Sequence, residues 1–232
     1  PLEWWEFAFP TKQGPDWTQA ADACMRECER VGAFDPSMVR GRGAWYDEGN
    51  AVLHLGDKLQ VNGAECSLDE HTTRYIYEKK PSMEAIRVGE PLSSDEAIVL
   101  HAIMGKLNWT SPVNSLLLAG WCALAPVCGA LAWRPHIWIT GKRGSGKSWV
   151  MENIVNPVMG ASALTVQAST TEAGIRQTLK QDARPIIFDE AEGENVQARS
   201  RIQSILELAR QSSSENSAAI AKGTTGGSAM SF

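Results

Sequence analysis

Eight consecutive residues offer chemistry at once: Gly141-Lys-Arg-Gly-Ser-Gly-Lys-Ser. They match G-x-x-x-x-G-K-[ST] in full, the phosphate-loop pattern. A loop that wraps a polyphosphate must turn successive backbone N–H groups inward. Gly141, Gly144 and Gly146 permit the positive φ angles this requires. A helix starting at Lys147 would add the partial positive charge of its N-terminus. Lys147 is then expected to bridge the β- and γ-phosphates, and Ser148 to ligate Mg²⁺. Lys142 and Arg143 lie at the crest, where they either add positive field or simply face solvent. The whole run 141–148 (Gly141, Lys142, Arg143, Gly144, Ser145, Gly146, Lys147 and Ser148) is taken as a binding site for ATP or a similar nucleoside triphosphate.

A second group follows about 40 residues on, within the spacing of a sheet-and-helix repeat. Pro185-Ile-Ile-Phe-Asp-Glu reads as an apolar strand ending in acid. That places Asp189 at the carboxyl edge of a sheet, where open α/β folds bind ligands. Asp189 is expected to hold Mg²⁺ through water, and Glu190 to polarise the attacking water. Glu192 and Glu194 compete for the base role, and Glu190 is preferred because it adjoins Asp189. The competing reading is a strand that merely ends in surface acids. Two adjacent acids suit hydrolysis better than transfer to a bound acceptor, so a phosphotransferase is the weaker alternative.

Positioning these groups takes a strand before the loop, a helix after it, and a second and third strand. His136-Ile-Trp-Ile-Thr is expected to be the first, Ala163-Leu-Thr-Val the second and Pro185-Ile-Ile-Phe-Asp the third. Ser169 with Glu172 predicts a helix start between the last two, and Ile202, Ile205, Leu206 and Ala209 predict a longer helix after them. Strands alternating with helices imply a parallel sheet. Upstream, Asp16 is expected to cap a helix whose apolar face carries Trp17, Ala20, Cys24, Cys28 and Val31, with Gly32 as its stop. Short strands are expected at 43–46, 51–55, 58–61 and 73–77, with turns at Glu48-Gly-Asn, Gly56-Asp and Asn62-Gly. Residues 79–92 read as a linker, and Ser93 with Glu96 forms a capping box that opens a helix through Leu107. The predicted fold class is therefore α/β: a P-loop NTPase parallel-sheet core over 93–232, behind a small α+β module over 1–92.

The composition fits this. The chain has 232 residues, is 43% apolar and 21% charged, and carries a formal net charge of −5, so overall charge gives no support for nucleic-acid binding. Five cysteines, an odd number in a chain this long, argue against a secreted disulfide framework. With no signal peptide at the start, a cytoplasmic location is expected. Residues 113–133 carry no charge, over about the length of a membrane span. Interruption by Asn114, Ser115 and Pro126, and the strand and loop that follow so closely, favour a buried helix and no membrane.

Three blocks together carry a resemblance: Leu118-Ala-Gly-Trp with Trp133-Arg-Pro-His-Ile-Trp-Ile-Thr-Gly and the loop; Ala168-Ser-Thr-Thr-Glu-Ala-Gly-Ile-Arg-Gln; and Ala183-Arg-Pro-Ile-Ile-Phe-Asp-Glu-Ala-Glu. Over about 93–232 the chain resembles the ATPase core of replicative helicase and primase-helicase proteins of phages and mobile elements, in the AAA+ and superfamily 3 group. The resemblance implies a ring-forming homo-oligomer that hydrolyses ATP with Mg²⁺ and moves along single-stranded or forked DNA. It also implies a pore hairpin, for which residues 217–232 fit, with Lys222 as the phosphate contact; an ordinary surface hairpin is the competing reading. The family's sensor residue and arginine finger would fall beyond Phe232, so this stretch is expected to bind nucleotide better than it turns it over. A function of another class, a nucleotide switch such as a helicase loader or transposition regulator, is the alternative.

Weaker constellations have ordinary explanations. Arg199, Arg201 and Arg210 follow the acidic strand and are expected on a helix surface. Cys24 and Cys28, with Cys66, His54 or His71, lack a zinc spacing, and buried packing is expected for the two helical cysteines. Trp45 and Tyr46 are expected in the core, while Arg40 and Arg42 form the compact basic cluster of the N-terminal half.

Overall fold

A computed structural model describes residues 8–32, 35–83, 93–167, 169–188 and 196–214. The chain divides into two compact units, Pro1–Pro36 and Ser37–Phe232.

In the first unit, a two-residue hairpin pairs β1 (Pro10–Thr11) with β2 (Gly14–Pro15), ahead of helix α1 (Trp17–Val31). The Asp16 carboxylate accepts the N–H groups of Thr18 and Gln19, and the Gly32 N–H closes the helix on the Cys28 carbonyl, as the sequence predicts. The apolar face behaves differently. Ala20 is buried, but Cys24 and Cys28 are exposed, so the expectation that they pack inward fails. Among the described residues of this unit, one helix and a tiny hairpin supply no second layer to cover that face.

The second unit opens with β3 (Val39–Arg40) and then a four-stranded antiparallel meander: β4 (Gly43–Asp47), β5 (Asn50–His54), β6 (Leu59–Val61) and β7 (Ala64–Cys66). Two of its turns are legible in the sequence. Glu48 and Gly49 both have positive φ between Asp47 and Asn50, and so do Asn62 and Gly63 between Val61 and Ala64, as tight two-residue hairpins require. β8 (Ile76–Tyr77) pairs in parallel with β3. The region read as a linker is docked as far as Met83, whose N–H bonds Leu55 and whose side chain is buried. Residues 84–92, where the boundary between 1–92 and 93–232 is expected, lie outside the described residues.

The meander holds a buried carboxylate. Asp47 accepts hydrogen bonds from Thr73 at 2.9 Å and Tyr77 at 3.0 Å, with His71 Nε2 at 3.3 Å. Burial, with Asp47 alongside, pushes the Tyr77 phenol up to about 12, which keeps it a donor. Arg40 lies between two rings, 3.3 Å from the Tyr75 centroid and 4.9 Å from Trp45. It is a buried strut of the meander, not a surface contact.

Helix α2 (Ser94–Gly105) begins at the predicted capping box of Ser93 and Glu96. The uncharged stretch forms α3 (Val113–Leu124) and a 3₁₀ segment (Ala125–Ala130). The run Val113–Ala130 is long and apolar enough to cross a membrane by length and composition. Only one face of α3 is covered: Ser115, Leu118 and Cys122 are buried, while Val113, Leu116, Leu117 and Leu124 are exposed. The main cluster joins Met104, Leu118 and Cys122 to Val150, Ile154, Val155, Met159 and Ile187.

No strand forms over 134–142, although one is expected at 136–140. Ile137 and Ile139 pack against the core while Trp138 is 53% exposed, so the two-residue alternation is present without ladder hydrogen bonds. The segment is instead held at its start, where Trp133 bridges Ser214 and the Arg134 N–H bonds the Ser213 carbonyl. β9 (Leu164–Val166) and β10 (Ile186–Phe188) form a two-stranded parallel sheet, with Ile187 opposite Thr165. The molecule is thus a mixed helix-and-strand fold with small sheets. The extended parallel core expected from the sequence is not seen among the described residues. Helix α6 (Glu172–Leu179) is capped by Thr171 rather than Ser169, because the Thr171 hydroxyl accepts the Gly174 N–H. Helix α7 (Val196–Ser212) is the longest among the described residues. Helices α4 and α5 belong to the site below.

A tight seam joins the meander to the foot of β10. Gly43 bridges Ala183, and Gly129 lies so close that an added Cβ would strike Ala183 Cβ and the Ala44 carbonyl. Asp182, its side chain 1% exposed, binds Arg42 and Lys80. Burial acts to raise the Asp182 carboxyl, but the bonds from Lys80 and Arg42 outweigh it and hold the group below its ordinary 3.8.

Two predictions follow from this seam. Gly129→Ala should cost about 1–3 kcal/mol by overpacking, whereas Gly120→Ala, with open space around it in α3, should stabilise by up to ~1 kcal/mol. Denaturant unfolding measures both, and equal effects would show the seam to be looser than the geometry says. A carboxyl with a depressed folded value contributes stability that is complete above its ordinary range and disappears as pH falls through the folded value. Asp182→Asn should therefore lower stability at pH 7 and flatten its decline below about pH 4.

Candidate functional site

The loop 141–146 connects the extended segment to helix α4 (Lys147–Val150), which continues without a break through a π turn (Met151–Val155) into α5 (Asn156–Met159). Pro157 lies just past the wide turn. A proline ring clashes with the carbonyl four residues back in a regular helix, which accounts for the local widening. The inner side of this rod is apolar: Val150, Ile154, Val155 and Met159 are buried. They meet Ile187 in one cluster, so the helix behind the loop and the strand leading to Asp189 share a core.

Loop geometry follows from the glycines. Gly144 has φ +77° and Gly146 φ +90°, conformations that cost an L-residue about 1–2 kcal/mol each. Gly141 has ordinary backbone, but a Cβ there would run into Ser145 Oγ and lie 3.8 Å from Lys147 Cγ. The Ser145 N–H donates to the Lys142 carbonyl at 3.1 Å, which tightens the crest. Gly146 is the N-cap, in left-handed conformation and with no side chain to offer. The first intrahelical bond runs from the Val150 N–H to the Gly146 carbonyl. The N–H groups of Lys147, Ser148 and Trp149 therefore project from the helix end, where an anion is favoured.

Lys147 is half-buried and folds back over the loop, its Nζ donating to the Gly141 carbonyl at 2.7 Å. Gly141, Lys142, Arg143, Gly144, Ser145, Gly146 and Ser148 are exposed. The structure therefore gathers all eight predicted loop residues into one open turn beneath an ammonium group. Ser148, in the first helical turn, presents a hydroxyl. A hydroxyl is one hard oxygen donor of the kind Mg²⁺ takes; the acids expected to join it lie outside the described residues.

The other predicted members are not placed. Asp189, Glu190, Glu192 and Glu194 lie outside the described residues, as does the hairpin carrying Lys222. Phe188, the residue before Asp189, is paired with Val166. Arg199 and Arg210 are exposed along α7 and Arg201 is half-buried.

The minor candidates resolve into packing. Arg42 is held by Asp182 and Arg40 by the two rings, so this basic cluster is structural. His54 is fully buried, edge-on to Tyr77. Among the described residues, no group of three His, Cys, Asp or Glu side chains could hold a metal. Burial pushes the Cys122 thiol up to about 11, which leaves it unreactive near neutral pH. Sequence reading gave no role to Asp182 and Arg184, the charges at the foot of β10. Their proximity to the acidic strand was visible, but their partners lie up to 140 residues away.

No protein-family profile, curated protein or solved structure matches the chain.

The loop glycines make a direct test possible. Gly146→Ala should cost about 1–2 kcal/mol in thermal or chemical unfolding through its left-handed φ. A neutral result would mean that the loop does not hold this conformation in solution.

Proposed function

We propose that this chain is the nucleotide-binding and hydrolysing core of a P-loop ATPase, and that it serves as the motor domain of a DNA replication helicase or translocase of the phage and mobile-element type. The observation that carries the nucleotide reading is the 141–148 turn: two left-handed glycines, an uncapped helix end and an ammonium folded over the loop. Successive amide donors with one ammonium group beside them suit a polyphosphate better than a monoanion, because charge is needed at successive positions along the ligand.

Each residue then has one task. The loop amides hold the phosphate oxygens. Lys147 exchanges its bond to the Gly141 carbonyl for the β- and γ-phosphates, and Ser148 supplies an oxygen to Mg²⁺. When bound, the ion would supply charge neutralisation during phosphoryl transfer. Asp189 would hold the ion through water, and Glu190 would polarise the attacking water. Part of the support is indirect. Ile187 of β10 packs in the same cluster as Val150 and Ile154 behind the loop, so the strand and the helix that follows the loop share one core. The DNA-motor part rests on the sequence resemblance, with single-stranded or forked DNA as partner and a ring of copies as the working state.

Lys147→Ala removes a charge-assisted contact worth ~1.5–3 kcal/mol, so nucleotide affinity should fall by about 10- to 100-fold. Glu190→Gln should keep affinity and lower turnover by roughly 10²- to 10⁴-fold in the full protein. Equilibrium binding of a fluorescent ATP analogue and a phosphate-release assay with and without single-stranded DNA measure these. Unchanged affinity in the lysine variant would overturn the nucleotide reading. Turnover indifferent to DNA would leave an ATPase but refute the motor.

A further inference from the structure

The geometry points to a second copy of this chain as the cover for the outward side of helices α2 and α3: two copies meet across a two-fold axis with their α2 helices antiparallel. The inference uses no residue of the nucleotide loop and is independent of what that loop binds.

The surface starts with α2. Asp95, Ile98, Val99, Ala102, Ile103 and Lys106 are all exposed. Their spacing is i, i+3, i+4, i+7, i+8 and i+11, which is one side of a helix. The opposite side is already in use, because Met104 is fully buried and Leu100 and Leu107 pack on the core cluster. α3 repeats the arrangement. Ser115, Leu118 and Cys122 face inward, while Val113, Leu116, Leu117 and Leu124 face outward. The two outward sides adjoin across a groove, lined by His101 and Gly105 of α2 and by Val113 and Leu116 of α3. Seven aliphatic residues, each between 42% and 63% exposed, make up this surface. Together they come to several hundred Å², which exceeds the scattered apolar exposure of an ordinary monomer and approaches the ~800 Å² that each partner of a standard interface buries.

The flanking charges favour protein over lipid. The run Val113–Ala130 is apolar enough to enter a bilayer. One side of α3 is committed to the core, however, and its 12 residues span about 18 Å against a hydrocarbon thickness of ~30 Å. Helices that lie on a bilayer surface carry lysines and arginines beside their apolar side. Here the charges beside it are Asp95, Glu96 and Lys106, with no basic excess.

Among protein partners, the surface fits itself. Antiparallel pairing about the middle of α2 sets Ile98 of one copy opposite Ile103 of the other, and Val99 opposite Ala102. It also sets Asp95 opposite Lys106. The two-fold axis makes each of these contacts twice. A larger residue meets a smaller one at the centre, and opposite charges close both ends. Parallel pairing would instead bring Asp95 against Asp95 and Lys106 against Lys106. Charges so placed select one register and exclude the other. Such a contact is also distinct from the head-to-tail contacts that build a ring, so the two can coexist.

Sedimentation equilibrium of the whole chain without nucleotide, across the micromolar range, measures the pairing. The parent should show a monomer–dimer equilibrium. Asp95→Lys and Lys106→Asp each set like charges at both contacts and should weaken it by about 10-fold or more. Combined in one chain they restore opposite charges, and Kd should return to within about threefold of the parent. Amide hydrogen exchange over 95–106 in the parent should slow as concentration rises, a readout that needs no variant. Both substitutions are at exposed positions, and circular dichroism checks that they fold; if one does not, the concentration-dependent exchange decides alone. A parent that stays monomeric throughout would overturn the inference. So would weakening that the double reversal fails to repair, or association indifferent to either single reversal. A monomer that instead floats with vesicles of phosphatidylcholine and phosphatidylglycerol would assign the surface to lipid and overturn it too.

Discussion

Everything in the larger unit depends on one apolar contact, the packing of Val150, Ile154 and Val155 against Ile187. The loop 141–146 is soft by construction, because its glycines allow conformational freedom. What lies behind it is fixed: the helix that follows the loop is held against β10. Dispersion and burial supply that rigidity, since close-packed side chains admit few alternative arrangements. The polar parts, Lys147 over Gly141 and the amides of the helix end, work within a frame that the cluster sets.

The second constraint is electrostatic and lies at the opposite end of β10. Asp182 and Arg184 are consecutive charges but for one alanine, and each bonds a different part of the chain. One is bonded to the meander and the other to the turn before β9. Each would be costly to bury alone, so each demands its own partners. This demand draws three separate stretches of chain, 41–43, 80 and 161–163, to one point. The meander is consequently tied to the foot of β10, even though, among the described residues, its strands pair only among themselves and with Ala183.

The exposed side of α3 stands apart from this frame. Val113, Leu116, Leu117 and Leu124 face outward while Leu118 and Cys122 face the cluster. A helix that is apolar all round is normally covered all round. The expectation of a buried helix over 113–133 is therefore half met among the described residues: one face serves the core, and the other is open.

The sequence alone determined what depends on neighbours in the chain. Turns at Glu48-Gly49 and Asn62-Gly63, the Asp16 and Ser93 caps, and the loop around Gly144 and Gly146 are local questions of φ and of short-range hydrogen bonds, so residue type answers them. Whatever needed a partner far along the chain was decided by tertiary structure. The alternation at 137–139 reads as a strand, but a strand exists only when a neighbour supplies the ladder, and Arg134 anchors that segment to the end of α7 instead. Cys24 and Cys28 have helical spacing, yet their burial required a second layer that the described residues of their unit do not provide. Arg40 and Arg42 look like surface cations between glycines, and only the fold reveals the rings and the carboxylate that hold them inside. Periodicity fixes which side of an element is apolar, but what covers that side, and which buried charge meets which, depends on contacts between residues more than a hundred positions apart.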